Sequence, residues 1–322
     1  FRRVLFRSST VRKFTGFEGS LGTARLQGVD VVKIIGTNLS LQLNRTSVTG
    51  GQVLDWKQTS LTTNPLVSAS VDLGPTDPTF RIGGTVGVSI ADVVLGNAVV
   101  AVSRSVVSGV DDPDVDGTVA RLQGDLLSIA ITQAALFIGS GVTLNEVAGS
   151  PGYGTVALPE SNDPKAVGFS VSGGSLQLGI FTARDQAITG TTYTPLTSTR
   201  KYTAVQGALG KAQLQGVDAV KLIGTNLVLQ INRSSVASGG VLDWRQTSVS
   251  AAALSLSPSD PTFRIGGSVG LSIADLVYGS ATISVSRTLV TDVTVTETSG
   301  VSTLKGDLFA IAISQSKLFI GS

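Results

Sequence analysis

LGTARLQGVDVVKIIGTNLSLQLNRTS, residues 21–47, decides the fold because the chain says it twice. LGKAQLQGVDAVKLIGTNLVLQINRSS, residues 209–235, is identical at 20 of the 27 positions. The offset of 188 residues persists where VLDWKQTS from Val53 becomes VLDWRQTS from Val241. It shortens to 183 between the DPTFRIGG stretches at Asp77 and Asp260, and to 182 between the GDL triplets at Gly124 and Gly306. The copied segments keep their sequence while the connections change length. Self-similarity at a fixed period is the signature of a repeat array.

Within the quoted stretch, apolar residues alternate with polar ones and are punctuated by small residues: ARLQ, GVD, VVKII, GTN, LSLQLN. Further along, FRIGG, VGVSIAD, AVVAVSR, TVARLQ, GD, LLSIAI, TQAA, LFIG and VGFSV, SGG, SLQLGIF have the same form. Period-two alternation bounded by Gly, Asn, Asp and Ser reads as β-strand. Short strands joined by small corners resemble the rungs of a solenoid. The expected fold is all-β, an elongated β-solenoid or β-helix-like repeat array. A string of β-sandwich modules is the alternative, weakened because only Trp56 and Trp244 recur as an aromatic core signature. The alternation predicts a buried face of Leu26, Val32, Ile34, Leu39, Leu41 and Leu43, with Leu214, Val220, Leu222, Leu227, Leu229 and Ile231 as its twins.

With 42% hydrophobic and only 14% charged residues, the chain is not composed like a disordered segment. No run of eighteen apolar residues occurs, so no helical membrane span is expected. Basic and acidic residues number 24 and 22. The opening FRRVLFRS, residues 1–8, resembles a translated sequencing adapter, and its three arginines account for the basic excess. Without them no basic patch speaks for nucleic acid. The expected organisation is an artefactual leader at 1–8, a truncated first repeat at 9–140 and a second repeat at 141–322, all from a longer, metagenomic gene.

Histidine and cysteine are both absent. Ser-His-Asp and Cys-His catalysis, disulfides, and zinc or iron sites built on imidazole or thiolate are therefore excluded. Five aspartates recur in both copies: Asp30/Asp218, Asp55/Asp243, Asp77/Asp260, Asp92/Asp275 and Asp125/Asp307. Each is read as a corner carboxylate that caps backbone N–H groups. No glutamate recurs, so no acid/base pair is shared and no catalytic residue is expected. Asn44-Arg45-Thr46 and Asn232-Arg233-Ser234 match the glycosylation sequon, read as coincidence.

One stretch has the form of a cation site. In DDPDVDG, residues 111–117, Asp112, Asp114 and Asp116 followed by Gly117 give the D-x-D-x-D-G opening of a calcium loop. The twelfth position of such a loop is Gln123 rather than glutamate, and the second copy reads TVTETSG there. Calcium on Asp112, Asp114 and Asp116 is the one cofactor expectation.

GVSIADVV from Gly87 and its twin GLSIADLV, together with the recurring LQGVD and IGTNL phrases, resemble the long repeats of giant bacterial cell-surface, adhesin-like proteins. The resemblance covers most of residues 10–322. It implies an extracellular, non-enzymatic stalk or adhesive segment facing a surface, a glycan or neighbouring repeats, and it transfers no functional residue. A carbohydrate-active β-helix enzyme fragment and a calcium-dependent secreted repeat protein are the alternatives.

Overall fold

Valine, isoleucine and threonine suit a pleated surface, and in the computed structural model they form strands much longer than the phrases above. The structure describes residues 2–7, 12–29, 31–48, 51–58, 71–114, 120–160, 165–187, 190, 192–236, 239–297 and 300–321. Among them twelve strands follow one another: β1 (Arg2–Arg7), β2 (Lys13–Arg25), β3 (Val32–Thr46), β4 (Phe80–Ile90), β5 (Val94–Asp111), β6 (Arg121–Ser140), β7 (Val167–Ala187), β8 (Thr194–Gln215), β9 (Val220–Ser234), β10 (Phe263–Ile273), β11 (Val277–Glu297) and β12 (Gly300–Ile320). They form one antiparallel sheet in sequence order, and the sheet does not close on itself. The chain is all-β, with one short 3-10 turn, Thr247–Ala252, among the described residues. No helix of the described residues is long and apolar enough to cross a membrane.

Several expected corners lie inside strands. GTN is in the middle of β3, where Asn38 has φ 52° and the pairing with β4 slips between Thr37 and Ser40. TQAA is in the middle of β6, where Gln133 has φ 53° and the pairing with β7 slips between Ile131 and Ala134. Each is a β-bulge, one extra residue that bends a strand without ending it. The twins Asn226 and Gln315 repeat the positive φ. GD at Gly124-Asp125 is also within β6. By contrast, IAD is a true turn. Ala91 and Asp92 both have φ 53°, and the Val93 N–H donates to the Ile90 carbonyl at 3.0 Å, in keeping with a tight hairpin.

The bulges also correct the predicted core. Because each shifts the alternation by one, Ile35 before the bulge and Asn44 after it share a face, while Ile34, Leu39, Leu41 and Leu43 point the other way. Ile35 and Asn44 are fully buried; Leu26, Ile34 and Leu222 are exposed and the remaining predicted residues half-buried.

The described parts of three long connections lie over the buried face as straps. The connection from β3 to β4 buries Trp56, Val71 and Leu73 against Phe14. The connection from β6 to β7 buries Val142, Leu144 and Val156 on Ile35, Leu95 and Phe137. The largest cluster forms under the connection from β9 to β10. There Leu242, Trp244, Val249, Leu254 and Leu256 cover Leu122, Leu126, Phe181 and Tyr202. The sheet makes room for the indoles with small residues: a Cβ on Gly16 would come within 2.7 Å of Trp56, and one on Gly179 within 2.6 Å of Trp244.

Candidate functional site

The acidic stretch following β5 holds the most enclosed charges of the described chain. Asp112 and Asp114 turn inward, and the Asp114 N–H donates to Asp112 Oδ1 at 3.0 Å in an Asx turn. Arg200 on β8 places Nη1 2.9 and 2.8 Å from the two Asp112 oxygens. Gln186 on β7 donates its amide to Asp112 Oδ2. Asp114 accepts from the Tyr202 hydroxyl at 2.7 Å and from the Gly240 N–H at 2.7 Å. Arg200 also lies 3.7 Å from Asp114. One turn is thereby tied to β7, to β8 and to the strap carrying Trp244.

The structure brings together two of the three expected calcium residues. Asp112 and Asp114 converge, but the positive charge between them is the guanidinium of Arg200. Asp116 lies outside the described residues. Among those residues, no group of three or more acidic side chains is placed to hold a metal ion. The side chain of Asp112 is fully buried and that of Arg200 mostly so. A pair at that depth stabilises only while both partners remain, since removing one leaves an uncompensated charge. Burial, reinforced by the hydrogen bond to Asp114, pushes the Tyr202 hydroxyl far above its ordinary value and keeps it protonated. Burial works against the charge of Arg200, yet Asp112 and Tyr202 together raise its pKa.

Sequence reading marked the acids and missed Arg200, Tyr202 and Gln186, which lie 74 to 88 residues downstream. One signal was present. The first copy has Phe14 where the second has Tyr202, so the hydroxyl exists only where Asp114 can meet it.

Most of the recurring aspartates have matched structural tasks. Asp55 and Asp243 accept the N–H groups of Lys57 and Arg245, both at 3.0 Å. Asp77 and Asp260 accept the N–H groups of Gly74 and Ser257, both at 2.7 Å. Asp92 and Asp275 instead hold Lys33 and Lys221, both at 2.9 Å. Asp125 and Asp307 are mid-strand and pair with Arg104 and Arg287 across the sheet. The corner-cap expectation thus holds for the first two pairs. For the last two it is replaced by ion pairing, because their residues face a lysine or arginine on an adjacent strand.

The two sequons prove to be part of a latch. Trp56 Nε1 donates to Asn44 Oδ1 at 3.0 Å, and Asn44 Nδ2 donates to the carbonyls of Leu54 and Gly74 at 3.1 and 3.2 Å. The second copy repeats this through Trp244 and Asn232. No protein-family model, curated protein or solved structure matches this chain.

Proposed function

We propose that the chain is a non-enzymatic structural or adhesive segment of a large exported bacterial surface protein, working outside the cell as a stalk or spacer. The observation that supports this most is the repetition of structural bonds. The asparagine–tryptophan latch and four of the five shared aspartate pairs occupy equivalent positions in both copies, each committed to holding strand, turn or strap. A module selected for chemistry repeats its reactive groups, whereas one selected for mechanical continuity repeats its joints.

The architecture fits the same reading. Every added strand extends the sheet by about 4.8 Å along the hydrogen-bond direction, and the strap carrying Trp244 covers Leu122 and Leu126 of the first copy as well as Phe181 and Tyr202 of the second. Growth by addition of identical units along one axis is the solenoid-like mode, in which each unit contacts only its neighbours.

The gene on either side of this stretch provides the test. Further copies at a similar spacing, with an export or anchoring signal, are the expected finding. A single module joined to a domain with paired acids in a cleft would sink the proposal in favour of a carbohydrate-active enzyme.

A further inference from the structure

Ile35, Leu95 and Phe137 share one face of the sheet on β3, β5 and β6, with Gly87 of β4 beside Ile35, and are fully buried because the strap following β6 crosses them. Three features hold that strap. Val156 donates its N–H to Asn97 Oδ1 at 2.8 Å, and Glu146 lies 3.0 Å from Lys33 Nζ. The main chain at Gly154 passes so close to Gly87 that a Cβ there would come within 1.9 Å of the Gly154 carbonyl oxygen.

The second copy rebuilds most of this seat, with Ser280 in the place of Asn97, and leaves it open. Ile223, Tyr278 and Phe319 are the twins of the three buried residues, and they are 39%, 42% and 56% exposed. With Gly270 and Lys221 they line a groove of about 460 Å³. Lys221 holds Asp275 as Lys33 holds Asp92. Gly270 corresponds to Gly87, but a Cβ on it would meet only the Ile223 carbonyl, at 3.9 Å.

The edge of β12 is prepared in the same way. Gly124 on β6 admits the backbone of β7, where a Cβ would come within 2.0 Å of the Thr182 carbonyl; its twin Gly306 has nothing within 4 Å. Glycine weakens a strand and is expected where another backbone approaches closely. The second copy keeps both glycines where no backbone would come nearer than 3.9 Å to the added Cβ.

We propose that this groove and the free edge of β12 form a seat for another segment with the chemistry of Gly141–Ala187. The segment enters directly behind the strand, as Gly141 follows Ser140. Its strap covers Tyr278 and Phe319, brings a carboxylate to Lys221 as Glu146 does to Lys33, and its strand pairs with β12 as β7 pairs with β6. A second whole copy of the chain is a poor occupant, because its own 141–187 segment is already held between β6 and β8. The inference rests on reading the chain as part of an array, but neighbouring gene content tests that reading independently.

The experiment extends the full chain after Ser322 with a copy of residues 141–187. Hydroxyl-radical footprinting reads Tyr278 and Phe319, and amide exchange reads β12. The expected result is protection of both rings and roughly tenfold or greater slowing of exchange along β12. Gly270→Val in the extended chain should restore ring reactivity, while the same substitution in the unextended chain leaves its melting unchanged. Three outcomes overturn the proposal: rings equally reactive with and without the extension, protection that survives Gly270→Val, or protection in the unextended chain that rises with concentration. The last would make the groove an interface between copies.

Discussion

Trp244 donates its indole N–H to Asn232 Oδ1 at 3.1 Å, with both side chains fully buried. The same amide donates to the Leu242 carbonyl at 3.0 Å, so one side chain secures the strap at two points. Only a group that both accepts and donates can do this, which excludes aspartate and leucine. Because Trp56 and Asn44 repeat the arrangement, the latch belongs to the repeat rather than to a junction between copies.

Trp244→Phe fills much of the indole's space but strands the Asn232 oxygen, at an expected cost of about 1–3 kcal/mol in denaturant unfolding. Asn232→Leu strands both the indole N–H and the Leu242 carbonyl, so its cost should be the larger of the two. The double variant should be less destabilised than the sum of the two, because neither partner then remains unpaired. Strict additivity in the cycle would mean that the bond contributes nothing.

Ile35 and Ile223 are the same residue of the repeat in different settings, which allows burial to be separated from sequence. Ile35→Ala removes buried methyl groups beneath the middle strap and should cost about 2–5 kcal/mol. Ile223→Ala acts at a half-open groove and should cost well under half as much. Equal effects on urea midpoints would show that the strap does not cover Ile35 in solution.

The all-β class was legible because period-two alternation survives almost everywhere. The face was not, and Asn38 shows why. An asparagine beside Gly36 and Thr37 reads as a corner, yet a single residue with positive φ fits within a strand as a bulge, and one extra residue reverses every later side chain. Leu39, Leu41 and Leu43 thus went to the wrong face while their spacing was right. The latch asparagines were visible as a recurring tripeptide, but their partners lie 12 residues away in a strap with no periodic pattern. The cluster around Asp112 was half visible, since acids two apart stand out and an arginine 88 residues later does not.

Arg200→Gln leaves Asp112 buried with a neutral partner. Its expected cost is about 3–5 kcal/mol, the range for breaking a buried pair from one side. Asp112→Asn alone should also destabilise, and Arg200→Gln with Asp112→Asn should recover part of the loss. Because the guanidinium occupies the place of a cation, millimolar calcium should leave the parent's melting temperature unchanged. A rise on adding calcium that Asp112→Asn abolishes would instead support calcium binding at this turn.

Tyr202 predicts the behaviour in alkali. Its folded-state pKa is raised by burial first and by the bond to Asp114 second. In the unfolded chain the hydroxyl ionises near pH 10. Below that pH both states keep the proton, and the full stability is present. Above it the unfolded state loses a proton that the folded state retains, so stability falls as pH rises towards the folded value. The slope from this group approaches about 1.4 kcal/mol per pH unit. Lys33 and Lys221, raised chiefly by hydrogen bonds to Asp92 and Asp275, act in the same direction from exposed positions. Tyr202→Phe should lower stability at neutral pH by removing a donor to Asp114, and should flatten the decline between pH 10 and 11. Urea titrations of parent and variant at pH 8, 10 and 11 separate the two effects. Parallel declines would show that Tyr202 ionises as freely in the fold as in the unfolded chain, and that the cluster is open to water.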